Sequence, residues 1–285
     1  MSEQLARACL FSVVEGGHTF WSAEISTHGA SAVYNKLLNG GYDPIKYAKL
    51  ITNLREANGD KILTEIDKHC ARLISPDDED WPQQFNDLAA PPICLIFKGN
   101  INALHQSSLA IVGTRNPTSY GARIAGEFAA GFADREWAIV SGGAYGIDSY
   151  AHKGALIAEG VTVAVVASGI DINYPAGNTR LFAEICESGA IVTEFMPGHR
   201  ALPNRFLTRN RLIAALSKAT LVVEAAFRSG SLRTARDAAE IFRPVMAIPG
   251  PINSPTSEGC HRLIGERAAE IVTSVADAVE FIGIN

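Results

Sequence analysis

At 285 residues with 47% hydrophobic composition, the chain is long enough for one to two domains with a sizeable core. No apolar run approaches the roughly 18 residues of a membrane span, and the opening MSEQLARACLFSVV lacks a basic leader with a small-residue cleavage site, so a cytoplasmic protein with no membrane partner is expected. The formal charge of -5 argues against a uniformly basic nucleic-acid binder, and Cys9, Cys70, Cys94, Cys186 and Cys260, scattered without a CxxC pair, outline neither a zinc ribbon nor a disulfide framework.

Residues 1–70 read as helical, with patterns such as AVYNKLLNGGY and DPIKYAKLITNLREANGD, in which Asp43 and Pro44 suit an N-cap and a first-turn proline. Residues 71–92, with the acid- and proline-rich SPDDEDWPQQFNDLAAPP, read as a connector whose Trp81 and Phe85 dock on a neighbouring domain. From residue 93 to 285, strands and helices alternate. The strands are ICLIFKG, SLAIVG, WAIVS, VTVAVVA, AIVTE, TLVVEA and PVMAIP. The helices run through ARIAGEFAAGF, IDSYAHKGALIAEG, NTRLFAEICES, RLIAALS and SLRTARDAAEIF. Continuous Val/Ile/Ala runs separated by helices predict a Rossmann-like α/β fold: a parallel or mostly parallel sheet with helices on both faces, preceded by a small helical N-terminal domain.

Three strands run straight into turns of small residues. In a parallel sheet such turns share the carboxyl edge, where backbone N–H groups and helix N-termini bind anions. At the first, Gly113 allows close backbone approach and Arg115 supplies a planar fork of donors suited to phosphate, or equally to a structural carboxylate. At the second, Ser141, Gly142, Gly143 and Ala144 precede a helix that Asp148 caps or enters; tight packing selects glycines here too. His152, four residues on, has no third ligand in view and reads as a packed or surface histidine rather than a metal ligand.

In NRFLTRNRLIAALS, Arg209, Asn210 and Arg211 are expected at the start of an apolar helix, where two guanidiniums and an amide suit a phosphate backbone. Phe206 is either a platform for an unpaired base or a core anchor. The last turn places Ser229 and Ser231 around Gly230 at a helix N-terminus, directly after a strand. Between Arg200 and Arg243 nine basic residues face three acidic ones, a local basic face on an acidic chain that can track a polyanion. A P-loop lysine motif and a GxGxxG triplet are absent, and WAIVS does not end in an acidic residue, so neither a P-loop NTPase nor an ordinary NAD enzyme is expected, and no cofactor.

Taken in order, PPICLIFKG, AIVGTRNPTSYG, VSGGAYGIDSYAHKGAL, VASGIDINYPAGN, IVTEF, FLTRNRLIAALS, VVEAAFRSGSLRTARDAAE and MAIPGPINSPTSEGCHRLI resemble the DNA processing protein A family (DprA, also called Smf) from about Ala71 to Val275. The resemblance implies a Rossmann-like, non-enzymatic domain that binds single-stranded DNA, forms a homodimer and helps load a RecA-type recombinase during DNA uptake, transformation or recombination. It implies DNA contacts at Gly113, Arg115, Ser141 to Ala144, Phe206, Arg209, Asn210, Arg211 and Ser229 to Ser231, with no catalytic or metal residues. It also likens residues 1–70 to the small helical, SAM-like domain that precedes the Rossmann-like domain in many members.

Two features depart from the family pattern. Leu207 stands where the FPxRNR pattern has proline, and the sequence ends with TSVADAVEFIGIN, so the winged helix many members carry is not expected in it. The alternative reading is a nucleotide-binding protein or a nucleoside-monophosphate phosphoribohydrolase. SGSLRTARD shares Thr234 with the PGGxGTxxE motif of those enzymes and places Asp237 at their glutamate, without the proline or two of the glycines. That chemistry needs a nearby carboxylate pair, and none is evident.

Overall fold

The computed structural model describes residues 1–283, so the last two positions of segment 93–285 lie outside the described residues. Five short helices come first: α1 (Glu3–Val13), α2 (Thr19–His28), α3 (Ala30–Leu38), α4 (Ala48–Glu56) and α5 (Gly59–Asp67). In α1 every residue from Ala6 to Phe11 is buried, so that helix is enclosed on more than one side. Asp43 accepts the N–H groups of Ile45 and Lys46. It therefore closes the turn ahead of α4, which starts only at Ala48.

The rest of the chain builds one nine-stranded sheet. Its strands are β1 (Arg72–Ile74), β2 (Leu95–Gly99), β3 (Ser108–Val112), β4 (Ala138–Ser141), β5 (Thr162–Val166), β6 (Ala190–Thr193), β7 (Ala219–Val222), β8 (Val245–Ala247) and β9 (Glu270–Ile271). Between them lie α6 (Ser119–Ala133), α7 (Ile147–Ile157), α8 (Thr179–Ser188), α9 (Pro203–Leu216), α10 (Ser231–Glu240), α11 (Glu258–Gly265) and α12 (Val275–Ile282). The strand order is β1-β2-β6-β5-β4-β3-β7-β8-β9. β1 and β2 run antiparallel to their neighbours, and all pairs from β6 to β9 are parallel.

The mostly parallel Rossmann-like expectation holds, and two details differ from it. ICLIFKG, counted among the alternating strands, is the antiparallel β2. The segment 71–92 is more than a connector, because it supplies β1 and buries Trp81 and Phe85 in the core.

Alternate residues along each strand go to opposite faces, as a period of two requires. Ala110, Val112, Val163, Val165, Val245 and Ala247 pack under α9, α10 and α11 together with Trp81 and Phe85. Leu109, Ile111, Ile139, Leu221 and Met246 pack under α6, α7 and α12. Toward the β2 edge, Ile96, Ala164, Val166 and Ile191 share a core with α8 and with Leu10, Trp21 and Leu37 of the N-terminal helices.

Chain order runs from β3 outward through β4, β5 and β6, then returns to the other side of β3 at β7. The strand order thus reverses at β3, and the turns after β4, β3 and β7 lie side by side. Crevices at such reversals, outside the carboxyl ends of the strands, are where open α/β sheets take ligands.

Candidate nucleic-acid interface

A cavity of about 420 Å3 opens at this reversal, walled by Gly113, Thr114 and Arg115, by Ala144 and Asp148, by Phe206, Leu207, Arg209 and Asn210, and by Ala226 and Arg228 to Ser231. Its first wall is backbone drawn close together. Thr114 donates its N–H to the Glu224 carbonyl at 2.7 Å, and Ile147 donates to the Thr114 carbonyl at 3.1 Å. A Cβ on Gly113 would stand 2.7 Å from the Glu224 oxygen and 2.6 Å from Ile147 Cγ1, so only glycine fits. Glu224 also holds Thr118, the N-cap of α6, accepting its N–H at 2.9 Å and its hydroxyl at 2.6 Å. Arg115 projects from this braced turn into solvent with no carboxylate of the described residues within 4.0 Å. The carboxylate-bound alternative for Arg115 is therefore not realised.

The second turn differs from expectation. Ser141 is fully buried and donates its hydroxyl to the Ile111 carbonyl at 2.7 Å. Gly142 and Ala144 donate their N–H groups to Asp148 Oδ2 at 3.1 and 3.3 Å, from the first turn of α7. The anion cradle read from SGGA is filled by the chain's own carboxylate, and of these four residues Ala144 alone lines the cavity. Burial pushes the Asp148 carboxyl above the usual carboxylate range, opposed by Arg209 and by the two amides.

The arginine cluster differs as well. α9 begins at Pro203, so Phe206, Arg209, Asn210 and Arg211 stand inside the helix and not at its N-terminus. The free amides of a helix start are not beside them. Arg209 is buried, donates from Nη1 to the Gly142 carbonyl at 2.7 Å and also bonds the Val165 carbonyl. Its Nε reaches Asn210 Oδ1 at 3.2 Å, and Asn210 Nδ2 donates to the Gly230 carbonyl at 3.1 Å. Arg209 and Asn210 thus strap the second turn to the last one across the cavity floor. Burial lowers the Arg209 guanidinium to about 10, with Asp148 acting against the shift, and it stays charged at neutral pH.

Arg211 leaves the site altogether. It pairs with the buried Glu194 at 2.5 Å, next to the loop at Gly16 and Gly17. Its guanidinium is committed there and is no phosphate contact of this cavity.

Phe206 is half-buried and outside all three core clusters, which disposes of the core-anchor reading. The Arg115 guanidinium lies 4.8 Å from its ring centre, and Tyr174 tilts against it at 5.6 Å. The last turn is held by the Ser229 hydroxyl, which accepts the Ser231 N–H at 3.3 Å. Ser229 and Ser231 hydroxyls share a bond of 2.7 Å, Gly230 is exposed, and α10 carries no acidic residue in its first turn. This contrasts with α7, where Asp148 fills the corresponding place.

Asp148, Glu224, Tyr174 and Arg228 were not among the residues picked out from the sequence as site-forming. Arg228 was legible as the basic neighbour of Ser229, and Asp148 as an acid one turn after a glycine pair. Glu224 and Tyr174 reach the site only through the fold. His152 is fully buried, and its Nδ1 lies 2.7 Å from Thr162 Oγ1, which itself donates to the Ile139 carbonyl. His152 is accordingly the neutral Nδ1–H tautomer, with burial depressing its pKa to about 3. No group of three or more potential metal ligands occurs among the described residues. Nor is any helix among them long and apolar enough to cross a membrane.

Residues 72–283 match the family model for DNA recombination-mediator protein A. A DprA relative in Mycobacterium tuberculosis is 47% identical over 225 residues, covering 74% of this chain and 58% of that protein, so the chain spans less than two thirds of the relative's length. The X-ray structure of DNA processing protein A from Streptococcus pneumoniae superposes with a TM-score of 0.76 at 36% identity, covering 82% of this chain and 81% of that one. The structure of DNA processing protein A from Helicobacter pylori, described for its single-stranded DNA binding mode, superposes with a TM-score of 0.68 at 29% identity, covering 74% of this chain and 95% of that one.

Proposed function

This chain belongs to the DNA recombination-mediator protein A family, also called DprA or Smf, and from that membership we propose that it binds single-stranded DNA and makes or breaks no bond in it. The observation that carries the reading is the pairing, in one cavity, of a partly buried Phe206 under Arg115 with the Ser229 to Ser231 turn at the head of α10, whose first turn holds no acid. Phosphates suit the turn and the guanidiniums. An unstacked base suits the phenyl ring, which favours a flexible single strand over a duplex whose bases are already stacked.

The hydrolase alternative fits the cavity less well. Asp237 is tied to Arg233 at 2.6 Å and does not line the cavity, and Asp148, the acid that does, is occupied by two backbone amides. Among the described residues Asp148 is the one carboxylate that lines the cavity, where the hydrolysis needs a pair. A homodimer fits the same reading, because two linked sites on one strand raise avidity without new contacts. Delivery of the strand to a RecA-type recombinase in the cytoplasm, during transformation or recombination, is the cellular role that family membership favours.

Fluorescence anisotropy with labelled oligo-dT and an equal-length duplex, each at two salt concentrations, tests the binding step. Tight, salt-sensitive preference for the single strand is expected; equal affinity for both, or none, would overturn the proposal. The delivery step is read separately, as the rate at which a RecA-type recombinase assembles on oligo-dT with and without the chain.

A further inference from the structure

Beside the cavity, on the α11 side of β7, lies a second aromatic ring covered by a guanidinium. Leu221 to Ala225 are buried, yet Phe227, two residues later, is 50% exposed. Arg262 of α11 places its guanidinium carbon 4.9 Å from the Phe227 ring centre, and its Nε is held by Glu266 Oε1 at 2.6 Å. The arrangement repeats that of Phe206 under Arg115, whose distance is 4.8 Å. Ala226 and Arg228, the residues on either side of Phe227, both line the cavity, so the ring stands at its rim. Arg228 is exposed and has no carboxylate of the described residues within 4.0 Å.

We propose that Phe227 is a second stacking platform, which takes a base of the same strand as it leaves the cavity across Arg228. This rests on the single-stranded DNA reading above. An exposed phenyl ring in a turn loses free energy to water and gains nothing from the core. A base stacked on it removes that surface from water, and every base offers a π-face, so the contact is tolerant of sequence. The adjoining unpaired cation favours a polyanion over an apolar protein surface as the occupant. A guanidinium on the ring extends the stacked surface, as it does at Phe206. The chain would then hold one strand by two rings on either side of the Ser229 phosphate turn.

The test uses the whole chain and two fluorescein-labelled probes: a 5′-phosphorylated thymidine dinucleotide, which engages the cavity, and a longer oligo-dT, which also crosses the rim. Phe227→Ala should weaken the longer strand about 5- to 30-fold, leave the dinucleotide unchanged and keep the salt dependence, because stacking releases no counterions. Phe227→Trp should restore the longer strand and Phe227→Leu should not. Equal affinity of Phe227→Ala and the parent chain for the longer strand overturns the proposal, and so does rescue by leucine as good as by tryptophan. Loss of both probes together with a changed sedimentation coefficient also overturns it, assigning Phe227 to a contact between copies. Failure of the parent chain to bind either probe is a different result, and removes the single-stranded DNA reading itself.

Discussion

Arg209 and Arg211, two residues apart on α9, are committed to opposite sides of the helix. Successive helical residues turn by about 100°, so a separation of two places the side chains about 200° apart. Arg209 is drawn to the Gly142 and Val165 carbonyls beneath the cavity, and Arg211 to Glu194 beside the N-terminal helices. Arg209 has Nε and Nη1 taken up beneath the cavity, and Arg211 is paired away from it. The exposed cations at the cavity are Arg115 and Arg228.

Arg209→Met should destabilise the fold by about 3 kcal/mol, because it strands two buried carbonyls and leaves Asp148 without its nearby positive charge. Urea denaturation followed by circular dichroism measures this. A variant as stable as the parent would mean that the strap between the second and last turns is dispensable.

Removing one member of the buried Arg211 and Glu194 pair leaves an uncompensated charge, so Arg211→Met or Glu194→Leu alone should cost about 3–5 kcal/mol. The double variant, with an apolar contact in place of the pair, should recover most of that loss. Its oligo-dT affinity should equal that of the parent, since the pair stands away from the cavity. A folded double variant with weakened binding would return Arg211 to the interface.

Two cations facing the strand predict a log-log salt slope of about -1.4 per protomer, from the single-strand coefficient of about -0.7 per neutralised phosphate. Arg115→Ala and Arg228→Ala should each bring the slope to about -0.7 while shifting stability by less than about 0.5 kcal/mol, as expected for exposed side chains. Anisotropy titrations over a salt series measure the slope. An unchanged slope in either variant would remove that arginine from the phosphate path.

His152 sets an acid limit on stability. Its folded pKa of about 3 lies below the ordinary histidine value, so between about 6.5 and 3 the unfolded chain binds a proton that the folded chain refuses. Stability is full above that window and falls within it by about 1.4 kcal/mol per pH unit on acidification. His152→Leu should flatten this limb, and Thr162 keeps its bond to the Ile139 carbonyl in the variant. Urea midpoints for both proteins from pH 4 to 7 give the comparison; parallel curves would show that His152 takes up its proton at the same pH in the folded and unfolded chains. Burial of Asp148 and Glu194 acts with the opposite sign, and is common to both proteins.

Strand runs such as SLAIVG and TLVVEA announce themselves because residues buried on both faces must be apolar at every position. The turns that follow them were therefore legible too, along with Gly113, Arg115 and Ser229. Short edge elements were not: β1 and β9 span three and two residues, too few for a period to show. The start of α9 was misplaced because Asn204, Arg205, Thr208, Arg209 and Asn210 interrupt the apolar spacing. The helix passes from solvent over the cavity floor there, where Arg209 bonds the ends of two strands and Asn210 the Gly230 turn.

The sequence by itself determined the strand and helix alternation, the order of the small-residue turns and the resemblance to a family, since each depends on residues close together in the chain. Which polar groups remain free was decided only by the tertiary structure. Arg209 and Arg211 are alike in the sequence, as are the amides of Gly142 and Gly230. Their fates differ because the nearby Asp148, and Glu194 and the Val165 carbonyl from other strands, satisfy some of them and not others. A buried polar group must find a partner, and which partner it finds depends on how the chain folds back on itself.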